Sequence, residues 1–67
     1  MTVEQIRAEV RKMDRSLTPT DPAFRAAVIM LAAFAGKPLV KTVAAFTGYP
    51  TGEVRDVMRQ LRVNRIL

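Results

Sequence analysis

At 67 residues the chain has room for one domain and a modest core. It has no Cys and no His, which excludes a disulfide framework, a thiolate or imidazole metal site, and the commonest general base. Its net charge of +5 is uneven: residues 37–67 hold six bases (Lys37, Lys41, Arg55, Arg59, Arg62, Arg65) against two acids (Glu53, Asp56). That suits a polyanionic partner, because phosphate contacts gain from counterion release. A plain solubilising surface is the competing reading.

Thr2 opens the first helix, and Gln5 three residues later completes a capping box. The helix is expected over residues 2–15, with Val3, Ile6, Val10 and Met13 on one stripe and Glu4, Arg7, Arg11 and Lys12 facing away. The opening MTVEQIRAEV carries acids and lacks the apolar run of a signal peptide. Residues 16–20 break the pattern.

Asp21 as N-cap and Pro22 at the first helical position restart it over residues 22–35. This run is apolar almost all round. Phe24, Ala27, Val28, Leu31, Phe34 and Ala35 fall on one side, and Ala26, Ile29, Met30 and Ala33 on the other. A helix apolar on every side is a buried one. The second side must be covered by the first helix or by another subunit. The expectation is a mixture, with the first helix helping to build a homodimer interface. The longest apolar stretch, residues 26–35, is too short to span a bilayer, so a cytoplasmic protein is expected, with no membrane partner.

Gly36 is the expected C-cap, and Lys37-Pro38 a tight connection. A short third helix follows over residues 39–47, and Gly48 ends it. Tyr49-Pro50-Thr51 makes the turn into a fourth helix over residues 51–64, with Pro50 as its first residue or Thr51 as its N-cap. Val54, Val57, Met58 and Leu61 share one face of it, and Arg55, Arg59 and Arg62 another. Met13, Met30 and Met58 read as core filler. No strand pattern appears. The chain reads as all-α, a single four-helix domain over residues 1–67.

The segment around Gly48 carries the functional signal. Two helices crossing steeply need a small residue at the crossing, which Ala44 supplies. They need a residue able to take a positive φ in the turn, which Gly48 supplies. Val43, Phe46 or Tyr49, Val54 and Val57 then face the core. That leaves Thr51, Gly52, Arg55, Asp56 and Arg59 pointing outward from the fourth helix. Tyr49 is expected to pack its ring on the core rather than stack on a ligand.

The stretch Val43-Ala44-Ala45-Phe46-Thr47-Gly48-Tyr49-Pro50, with Val54 and Val57, resembles the helix-turn-helix of bacterial and phage regulators, winged-helix types included. The likeness covers about 20 residues and is moderately specific. It implies a trihelical core of the helices at 22–35, 39–47 and 51–64, with the N-terminal helix added to it. The sequence stops at Arg65-Ile66-Leu67, where a first wing strand would begin, so a wingless relative is expected.

The resemblance implies double-stranded DNA as partner and residues 51–64 in its major groove. Thr51, Gly52, Arg55 and Arg59 are then the base-reading positions, and Lys37, Lys41, Arg62 and Arg65 the phosphate contacts. For Arg62 and Arg65 a solvated helix end, favoured by the macrodipole, stands beside that role. Asp56 accepts from cytosine N4 or pairs with Arg55 or Arg59, and the pairing is preferred. No paired carboxylates and no phosphate-cradling loop occur, so no enzyme, cofactor or metal is expected. A transcriptional regulator is the first reading. The alternatives are a small protein–protein module, or a DNA-binding subunit of a larger phage or recombination complex.

Overall fold

A computed structural model describes residues 2–36 and 39–66. It contains four helices: α1 (Val3–Met13), α2 (Pro22–Phe34), α3 (Val40–Thr47) and α4 (Thr51–Val63), with no strand among the described residues. The all-α, four-helix architecture expected from the pattern is the one observed. Lys37 and Pro38, the expected tight connection, lie outside the described residues.

Local chemistry sets most of the helix ends. Thr2 caps α1 through the full capping box: Gln5 N–H donates to Thr2 Oγ1 at 3.2 Å, and Thr2 N–H donates to Gln5 Oε1 at 2.7 Å. The helix stops at Met13, two residues earlier than expected, because Asp14 is extended and its carboxylate turns to Ser16.

Pro22 begins α2 as expected, but Asp21 makes no side-chain cap. Its carboxylate instead accepts the Thr18 N–H at 2.8 Å, closing the turn before the helix. At the far end Gly36 takes the left-handed conformation, φ 95°, just beyond the C-cap Ala35.

α3 starts at Val40, with Leu39 extended before it, and ends at Gly48 with φ 80°. The Gly48 N–H closes the last turn on Ala44 O at 2.9 Å. The fourth helix starts at residue 51 as expected, but neither expected cap role holds. Pro50 is the N-cap and Thr51 the first helical residue, because Pro50 has the extended ψ of 141° that lies outside a helix.

α4 ends in a paired-bond cap. The Ile66 N–H donates to Leu61 O at 2.8 Å and the Arg65 N–H to Arg62 O at 3.0 Å, with Arg65 itself left-handed at φ 59°. This is the Schellman arrangement with Arg where Gly is usual.

The apolar α2 is the hub, packing against each of the other three helices. Both of its sides are thus largely covered within one chain. Ile6 and Val10 from α1, Phe24, Val28, Ile29 and Ala32 from α2, Val43 from α3, and Val54 and Met58 from α4 are buried together. Burying each large side chain contributes roughly 1.5–3 kcal/mol, which is what a chain of this size has to set against its conformational entropy.

Two of the three methionines expected in the core depart from it. Met13 is 63% exposed, because α1 ends there and an apolar cleft with Leu31 and Phe34 stays open beside it. Met30 is half-buried at the rim of a second cleft, between α2 and α4.

Candidate nucleic-acid interface

The turn between α3 and α4 is assembled from both flanking helices. Val43 and Val54 are fully buried, and Phe46, Tyr49 and Val57 are packed half-buried against the core. Buried Thr47 donates its hydroxyl to Val43 O at 2.8 Å and accepts the Tyr49 N–H at 3.3 Å, so its buried hydroxyl is satisfied.

Three charged side chains brace this turn. Arg25 on α2 reaches Glu53 in the first turn of α4 with two parallel hydrogen bonds: Nε to Oε2 at 2.6 Å and Nη2 to Oε1 at 2.7 Å. The two side chains are 29% and 31% exposed. A bidentate, largely sheltered pair exceeds the roughly 0–1 kcal/mol of an ordinary surface pair.

The same Arg25 guanidinium lies over the Tyr49 ring, 4.4 Å from its centroid. Arg7 of α1 sits 5.8 Å from that centroid and donates to Thr47 O at 3.3 Å, tying α1 to the end of α3. The neighbouring Tyr49 first, and Glu4 as well, hold the Arg7 guanidinium above its ordinary pKa. Tyr49 therefore packs on the core as expected, with a cation against its ring in addition.

The outward positions of α4 behave as the pattern requires. Thr51, Gly52, Arg55, Asp56, Arg59 and Arg62 are all exposed. At 3.6 residues per turn, Thr51, Arg55, Arg59 and Arg62 fall within about 80° of arc, opposite the shoulder that carries Glu53. Arg55 to Arg62 spans about 10 Å of helix axis, against a major groove about 12 Å wide. None of Arg55, Arg59 and Arg62 forms an ion pair among the described residues.

The preferred pairing of Asp56 with Arg55 or Arg59 is absent. All three are exposed, where water solvates each charge as well as a neighbour would. Lys41 is exposed on α3, Arg65 is exposed beyond the end of α4, and Lys37 lies outside the described residues.

The acids are distributed differently from the bases. Of the two acids in residues 37–67, Glu53 is held by Arg25 on the α2 side of α4. Asp56 alone faces outward beside the arginines. Among the described residues no three His, Cys, Asp or Glu side chains form a metal-holding group, and no helix is long and apolar enough to cross a membrane.

The brace was not legible in the charge pattern, which draws attention to residues 37–67 and away from Arg25. One signal pointed to it: Arg25 is the only charged residue between Asp21 and Lys37, and a cation set in an apolar helix needs a partner.

No family model matches the chain, and no curated protein or solved structure shows significant similarity to it.

Proposed function

We propose that this chain is a sequence-specific double-stranded DNA-binding protein, a cytoplasmic transcriptional regulator of bacterial or phage origin, with α4 in the major groove. The observation that carries the reading is the row of exposed, unpaired arginines on α4, presented directly after the left-handed Gly48 turn.

Arg55 and Arg59 reach guanine O6 and N7, each contact contributing about 1–3 kcal/mol of discrimination. Thr51 contacts a phosphate or a thymine methyl. Gly52 lets the backbone come close, and apart from its chain neighbours and the backbone of α4 itself nothing lies within 4 Å of where its Cβ would stand. Lys37, Lys41, Arg62 and Arg65 set register on phosphates.

The working form is a homodimer. Ala23, Ala26, Ala27, Met30 and Phe34 share one side of α2 by helical spacing, and not one is polar. Phe34 is 53% exposed and Ala23 is exposed, so this side is incompletely covered by the chain itself. Phe34 also shares an open apolar cleft with the exposed Met13 of α1, so α2 and α1 together support a subunit contact.

Selection of bound duplexes from random DNA tests the reading. The expected result is a palindromic consensus with half-sites one helical turn, about 34 Å, apart. Recovery of no consensus would defeat it. In sedimentation, Phe34→Gln is expected to shift the protein towards monomer, and an unchanged profile would remove α2 from the interface.

A further inference from the structure

We propose that Arg25 is a positioning residue for the recognition surface of α4, acting through Glu53 and Tyr49; this rests on the DNA-binding reading. Its two actions are separable. It fixes the pitch of α4 at its first turn, and it keeps the Glu53 carboxylate turned away from an approaching phosphate.

The geometry supports both. Glu53 is the third residue of α4, in the turn whose exposed backbone N–H groups favour an anion. A carboxylate free to swing there would compete with a DNA phosphate and repel it. Arg25 holds both carboxylate oxygens, at 2.6 and 2.7 Å, from α2 on the shoulder of α4 opposite Arg55 and Arg62. The Arg25 guanidinium is itself oriented by the Tyr49 ring 4.4 Å below it. Arg7, bonded to Thr47 O and 5.8 Å from the same ring, closes the assembly from α1. One arginine thus couples α2, the turn and α4.

Among the described residues no other ion pair joins two helices. Apart from Arg25–Glu53, the ion pairs among the described residues are Glu4–Arg7 and Glu9–Lys12, both within α1. Residue 25 is on α2, not on the outward side of α4. It lies outside the set Thr51, Arg55, Arg59 and Arg62 that reads the groove.

The test compares wild type, Arg25→Ala, Arg25→Lys, Glu53→Gln and the double variant Arg25→Ala/Glu53→Gln on one selected duplex. Binding is read by fluorescence anisotropy well below each melting temperature, with helicity checked by circular dichroism. Arg25→Ala is expected to bind about tenfold more weakly, and the double variant to recover the part of that loss due to the freed carboxylate, about threefold. Glu53→Gln alone should stay within about threefold of wild type. Arg25→Lys keeps the charge but loses the second hydrogen bond, and should fall between wild type and Arg25→Ala.

A purely structural brace gives a different result: the melting temperature falls, yet DNA affinity of the folded protein is unchanged. That result, or a double variant no tighter than Arg25→Ala, would overturn the proposal. If Arg25→Ala does not fold, Arg25→Lys against Arg25→Lys/Glu53→Gln decides it in the same way. Amide hydrogen exchange separates the two levels, being independent of DNA. Faster exchange at Val54 and Arg55 in the Arg25 variants, with the core of α1 and α2 unchanged, is expected even if wild type binds no duplex. Unchanged exchange there would remove the positioning role itself.

Discussion

Replacing Gly48 or Gly52 by Ala makes one chemical change four residues apart, with opposite consequences. Gly48 has φ 80° and ψ 4°, in the left-handed region where a side chain costs about 1–2 kcal/mol. Losing glycine's freedom in the unfolded chain returns about 0.4–1 kcal/mol. Beyond residue 48 and its two chain neighbours, nothing lies within 4 Å of the added Cβ, so backbone strain sets the result. Gly48→Ala should therefore cost about 1 kcal/mol, a fall of roughly 4–8 °C in melting temperature for a domain this small.

Gly52 is the second residue of α4, with no positive φ and equally open space around it. There Ala is the better helix former, and Gly52→Ala should stabilise by about 0.4–1 kcal/mol. Thermal melts followed at 222 nm, with urea titrations at 25 °C, read both. Shifts of the same sign would refute the reasoning, because either Gly48 would not be left-handed or Gly52 would not be helical. On DNA the two should agree: Gly52→Ala, though more stable, should bind more weakly, because a methyl then faces the groove.

Arg65→Gly should raise stability by about 0.5–1 kcal/mol in the same melts, because residue 65 is left-handed at the end of α4. Phe24→Ala should cost about 3–5 kcal/mol at a fully buried site on the hub helix, against a total of about 3–10 kcal/mol for 67 residues; a cooperative melt near the wild-type temperature would contradict the packing. Hydrogen bonds from the Ser16 hydroxyl and N–H hold the Asp14 carboxyl below its ordinary pKa. A depressed folded-state pKa contributes stability that is present above the unfolded value and lost as pH falls through the folded one. Ser16→Ala should therefore raise the Asp14 midpoint in an NMR titration, and an unmoved midpoint would assign the shift to another cause.

The parts of the fold legible in the sequence are those set within a few residues. The Thr2–Gln5 capping box, Pro22 at the first helical position, and Gly36 and Gly48 with positive φ all depend on local backbone chemistry. The exposed face of α4 was legible for a related reason, since helical period alone separates Val54, Met58 and Leu61 from Arg55, Arg59 and Arg62. The brace was not, because Arg25 and Glu53 are 28 residues apart and their meeting depends on how α2 packs on α4. The same dependence explains Asp21. Its side chain had two backbone partners within reach, and the turn at Thr18 took it. Met13 had the right period for the core, but the helix ends beneath it.

Binding of the selected duplex by wild type and by the Arg55→Ala/Arg59→Ala variant, each at two salt concentrations, tests the central claim most directly. Both side chains are exposed and unpaired, so the variant should keep its helicity and melting temperature. Wild type should bind with a steep salt dependence, and the variant should lose specific binding, leaving at most a weak affinity indifferent to sequence. Equal affinity of the two proteins for the same duplex would contradict the claim that α4 reads DNA.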